Sequence, residues 1–151
     1  LFGNEESLGK ESWRNDPAEM DRRAIKALTQ LMGFFLGTSL IATRLGEKPI
    51  PKNETTLRIQ TAFAFGVNDF ICQTNSIDQA QTLSVFNKFL TQEYGKKKGA
   101  KLSLWALKNA GKPKFLKIMK IAGQSAVAHL KGELKNKIIF YDTMMDKNNK
   151  L

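Results

Sequence analysis

The residues best placed to do chemistry lie in the stretch KKKGAKLSLWALKNAGKPKFLKIMK, Lys96 to Lys120. It holds nine lysines in twenty-five residues and no acid. Lys131, Lys135 and Lys137 follow, against the single acid Glu133. An ammonium group is a compact point charge that suits phosphate and reads base edges poorly. A typical solvated helix face mixes signs, with Glu and Lys spaced to attract. Here almost no acid is present to pair, and like charges at helical spacing cost roughly a few tenths of a kcal/mol each. The pattern predicts an external anion as partner.

The candidate binding residues are Lys96, Lys97, Lys98, Lys101, Trp105 and Lys108, then Lys112, Lys114, Lys117, Lys120, Lys131 and Lys135. Lys101, Trp105 and Lys108 are read as one helical row, and Lys117, Lys120, Gln124, Lys131 and Lys135 as another. Phe115, Met119, Ala122, Ala126 and Leu130 fall opposite the second row, and Leu104 and Leu107 are assigned to the core. Trp105 and Phe115 carry rings that can stack on unpaired bases. The same mixture of lysine with Trp and apolar residues fits a helix on anionic lipid. Assigning the leucines to the core lowers that reading.

Other reactive residue types form no recognisable constellation. Asp69 and Gln73 stand four apart within the apolar AFGVNDFICQ. A carboxylate there needs a partner if buried, and Arg44 or Arg58 is expected to supply one. His129 is the only histidine, so no histidine-rich metal site can form. Glu133, four residues later, is its expected helical neighbour. Cys72 is the only cysteine, which rules out an internal disulfide and a cysteine-ligated cluster. It reads as a small buried hydrophobe. GKKKG lacks both the spacing and the Ser or Thr of a phosphate-binding P-loop. No metal and no cofactor is expected.

The charge is uneven. Residues 1–75 carry nine basic and nine acidic side chains; residues 76–151 carry fifteen and five, and so hold the whole formal charge of +10. All five arginines lie in the first part, and every basic residue of the second is lysine. Arginine, the usual reader of guanine edges, is thus absent where the charge is. Such asymmetry speaks to partners rather than to fold. Hydrophobic residues at 42% and charged residues at 25% fit a globular chain. The longest uncharged run, Ala27 to Thr43, has seventeen residues, among them Thr29, Gln30 and Ser39. A spanning helix needs about 20 predominantly apolar residues, so this run is read as a buried helix and no transmembrane segment is expected. A single thiol and no signal-like start favour the cytoplasm. Because the sequence starts at Leu1 rather than Met, periplasmic residence after signal removal stays open.

These residues need elements to hold them. The pattern predicts an all-α domain of about five helices over residues 16–137, with an irregular arm or strap at 1–15 and a tail at 138–151. Trp13 is expected to pin the arm. DPAE starts the first helix, with Asp16 as cap, Pro17 at the first position and Glu19 completing a capping box. This helix runs to about Leu45 and stops at Gly46. Its middle, LMGFFLG, is apolar on every side, so it should be the central helix with the others around it. Gly33 and Gly37 predict a close helix crossing there, with Gly66 or Gly123 as the matching contact. Pro49 and Pro51 mark a linker. The second helix starts at Asn53 or Thr55 and the third at Ser76, capped with Gln79 three residues on. A short fourth helix covers about Ala100 to Ala110, and the fifth runs from Pro113 to about Lys131. IIFYDTMM is read as a short strand or an apolar strap.

Three functions compete. The leading one is a non-enzymatic binding module that presents the lysine face to a polyanion, with nucleic acid held by its backbone and little sequence preference. The alternative is a helical adaptor or immunity-type protein that binds a protein partner by shape, with the lysines serving an acidic partner or only solubility. The third is an enzyme using Asp69 or His129.

Overall fold

A computed structural model describes residues 16–133 and 135–151. It is all-helical, with no strand among the described residues. In chain order the helices are α1 (Pro17–Arg44), α2 (Glu54–Thr74), α3 (Gln79–Tyr94), α4 (Lys96–Asn109), α5 (Pro113–Leu130) and α6 (Lys135–Met145), followed by a short 3-10 turn, Lys147–Asn149. The arm expected at residues 1–15, with Trp13, lies outside the described residues.

The first three helices start on side-chain caps. Asp16 accepts from the amide of Ala18, Asn53 from Thr56 and Asp78 from Gln81. Each satisfies a backbone donor that the first turn would otherwise leave open. The cap of α3 is therefore Asp78, not Ser76. Ser76 instead takes a positive φ of 55° in the turn after α2. Glu19 does not close a capping box; its carboxylate pairs with Arg22 and Arg23. Gly46, with φ of 72°, follows α1 in the left-handed conformation that glycine adopts without penalty.

The centre of the bundle is α2, not the longer α1. It packs against all five other helices and buries Ile59, Phe63, Val67 and Ile71. Its closest neighbour is α5. A Cβ placed on Gly66 would stand 2.8 Å from Met119 Cα, Met119 O and Ala122 Cβ, so only glycine lets the two backbones meet there. The C-terminal end of α2 is fastened to α1. Arg23 Nη1 donates to the Asn75 carbonyl at 2.9 Å, and Asn75 Nδ2 donates to Gln30 Oε1 at 2.8 Å.

The helix expected at the centre, α1, has one bare side. It buries Ala24, Ala27, Leu31, Phe34 and Thr38, while Ile25, Leu36 and Leu40 face outward. By length and composition alone α1 is long and apolar enough to cross a bilayer, and only 28% of its most apolar 18-residue window is buried. A Cβ on Gly33 would meet nothing within 4 Å. The glycine pair thus marks no crossing at Gly33. That residue opens instead onto a groove of about 940 Å³ floored by Phe35 and Phe140. Gly123 makes no close approach either.

IIFYDTMM is neither a strand nor an irregular tail. It forms most of α6, and Phe140 and Met144, four apart, enter the core. The Phe140 ring sits 4.9 Å from Phe63 and 5.4 Å from Phe35, edge to face in both cases. Asn149 Nδ2 then donates to the Thr143 carbonyl at 3.1 Å and turns the chain end back onto α6.

Candidate polyanion-binding surface

The lysine-rich stretch is more helical than its composition suggests. Lys96, Lys97 and Lys98 form the first turn of α4 rather than a loop. The reason is Gly99. A Cβ there would come within 2.9 Å of the backbone of Leu90 and Thr91, so α4 lies tightly against α3 from its start. Gly95, with φ of 87°, makes the sharp turn between them. The first turns of α4 and α5 have no side-chain cap and no acid. Lysines stand in both, where the helix dipole disfavours positive charge by roughly 0.3–1 kcal/mol each. The two dipoles add to the positive field instead of offsetting it.

All ten candidate lysines with described side chains, from Lys96 to Lys131, are exposed. Lys135 opens α6, and its side chain lies outside the described residues. On α4, Lys97, Lys101 and Lys108 share a face. On α5, Lys117, Lys120, Gln124 and Lys131 line the outer face as the projection predicts. Two lysines have local contacts: Lys114 Nζ donates to the Lys150 carbonyl at 3.3 Å, and Lys98 Nζ lies 5.8 Å from the Tyr94 ring centroid. Burial, and then the charge of Glu93, push the Tyr94 phenol up to about 12, so that ring is neutral. Among the described residues, no acid lies within ion-pair reach of these ten lysines. Lys96, Lys97, Lys98 and Lys101 border a depression of about 660 Å³ whose far wall includes Glu54. Glu54 faces Arg58, with Arg58 Nε at 3.6 Å from its carboxylate.

The apolar residues of α4 exchange the places that hydropathy predicts for them. Trp105 does not stand free among the lysines. It is half-buried, tilted against Phe115 at 5.8 Å, with the Arg58 guanidinium 5.9 Å from its centroid. Phe115 is fully buried. Neither ring is presented for stacking. Leu104 and Leu107, assigned to the core, are 61% and 48% exposed, and Leu116 at the start of α5 is 50% exposed. Leu130, also expected inside, is half-exposed. The buried face of α4 is made of Gly99, Leu102, Ser103 and Ala106, mostly small residues that allow the close approach to α3.

No protein-family model, curated protein or solved structure matches this chain. What the chain binds must be read from its own surface.

The remaining candidate groups are not brought together. The Asp69 carboxylate accepts from Gln73 Nε2 at 2.8 Å, and partial burial raises its pKa while that bond lowers it. Arg58, expected as a partner for Asp69, is engaged with Glu54 and Trp105 instead. His129 lies edge-on to Phe34 at 5.2 Å. None of the three cavities described is lined by Asp69, Gln73 or His129. Cys72 is buried as expected, its thiol donating to Asn68 Oδ1 at 3.5 Å, and burial pushes it up to about 11.

Proposed function

We propose that this chain is a non-enzymatic helical binding module whose α4–α5 face takes a phosphate-rich polyanion. The observation that carries this reading is the exposure of ten lysines with no acid in ion-pair reach among the described residues. Such a surface costs folding energy through self-repulsion and through the two lysine-bearing helix starts. An anion spread over both helices would relieve both costs. Lysine holds phosphate as a point charge and carries little sequence information. A nucleic acid would therefore be held through its backbone, by counterion release, with little preference among sequences. Because Trp105 is engaged within the bundle, base stacking drops out of this reading and the charge remains.

Titration against labelled duplex DNA and labelled heparin at low and physiological salt tests this directly. Binding to both at low salt is expected, weakened by at least about tenfold at the higher salt. Binding to neither, or binding that salt leaves unchanged, overturns the proposal.

A further inference from the structure

The polyanion reading leaves three leucines unexplained. Leu104 stands outward within the Lys97, Lys101 and Lys108 row of α4, Leu107 is exposed roughly a quarter-turn to one side of that row, and Leu116 stands beside Lys117 and Lys120 on α5. A single exposed leucine is ordinary. Three within thirteen residues, each about half-exposed and each close in sequence to lysines, put two chemistries on the outer sides of α4 and α5. A nucleic-acid backbone offers partners to the ammonium groups and nothing to the leucines. An anionic bilayer offers both, because its headgroups carry the phosphate and its acyl chains begin a few ångströms below. Lysine suits that boundary, since its stem can lie along apolar surface while its charge stays at the headgroups. The charge complementarity is one-sided along both helices, as neither α4 nor α5 carries an acid, and Glu54, across the depression from Lys96 to Lys101, faces Arg58.

We infer that the ligand of the α4–α5 face is the surface of an anionic lipid bilayer, with Leu104, Leu107 and Leu116 entering the interface between the lysines. This rests on the polyanion reading above and names its ligand. The bare apolar side of α1, with Leu36 and Leu40, has no comparable charge between Ala27 and Thr43 and serves as the internal comparison.

The test is co-sedimentation of the full chain with phosphatidylserine–phosphatidylcholine vesicles and with pure phosphatidylcholine vesicles, beside the duplex-DNA titration. The variant carries Leu104→Ser, Leu107→Ser and Leu116→Ser; all three sites are half-exposed, and circular dichroism checks its fold. The wild type is expected to bind the anionic vesicles and not the neutral ones. The triple variant is expected to bind the anionic vesicles roughly a hundredfold more weakly, with its DNA affinity unchanged. Wild-type binding to DNA without binding to anionic vesicles overturns the lipid assignment and leaves the polyanion reading standing. Equal vesicle binding by the triple variant overturns the role of the leucines. Loss of vesicle binding in Leu36→Ser with Leu40→Ser, but not in the triple variant, moves the binding face to α1 and also overturns the inference. Binding to neither DNA nor vesicles removes both readings.

Discussion

Phe140→Ala is expected to lower the melting temperature by about 10 °C. Removing a buried phenylalanine costs about 3–5 kcal/mol, because the transfer energy is lost and a cavity remains. In a chain of this size each kcal/mol shifts the midpoint by about 2–4 °C. The Phe140 ring closes an aromatic cluster with Phe35 and Phe63, and Phe35 in turn meets Phe34 and Phe89. Its loss exposes the floor of the groove beside α1. Thermal unfolding followed by circular dichroism measures the effect. A shift within about 2 °C, the range of an ordinary surface substitution, would mean that α6 is a strap over the bundle and no part of its core.

Neutralising the lysine face has the larger functional effect. A variant with Lys97, Lys101, Lys108, Lys117 and Lys120 changed to Gln retains half of the formal charge of +10. Each lysine near an anionic surface contributes about 1 kcal/mol, so the five together are expected to weaken binding to anionic vesicles by roughly a thousandfold or more. Binding to DNA is expected to become both weaker and less steep in salt, the logarithmic slope falling by ~0.9 for each phosphate that no longer meets a lysine. The fold is expected to hold, because these side chains are exposed and unpaired with acid among the described residues. Removing like charges relieves roughly a few tenths of a kcal/mol per pair, so the midpoint should stay level or rise slightly. A variant that binds either probe as the wild type does would show that the binding face lies elsewhere.

Much of the bundle is legible in the sequence because helix ends are written locally. Asp16 with Pro17, Asn53 and Gly46 start or stop helices through a side-chain acceptor, a fixed φ or a left-handed turn, and all three act as expected. The lysine row of α5 is legible for a similar reason, since Phe115, Ala122 and Ala126 mark one side at helical spacing. What periodicity misses is the choice of inner face where apolarity does not alternate. LMGFFLG is apolar all round, so its pattern could not say that Leu31 and Phe34 turn inward while Leu36 turns out. Thr38 goes inside because its hydroxyl donates to the Phe34 carbonyl at 2.7 Å, a local bond that hides its polarity.

The lysine face of α4 is misread in the same way, with more consequence. There the inner side is held by Gly99, Ser103 and Ala106, which carry little hydropathy signal. Packing distance selects them: α3 lies too close for a larger residue at Gly99. The leucines are therefore free to face outward, and Trp105 fills the gap toward Phe115. Lys96 to Lys98 fall before the start expected at about Ala100 because three cations in a first turn oppose the helix dipole. In IIFYDTMM, a run of residues common in strands hides the four-residue spacing of Phe140 and Met144.

Backbone amide shifts recorded while a short polyphosphate is added test the lysine face most directly. The expected result is a salt-sensitive, saturable set of shifts confined to α4 and α5, strongest from Lys96 to Lys101 and from Lys112 to Lys120. Shifts concentrated on the outer faces of α1 or α3, with α4 and α5 unchanged, would contradict it.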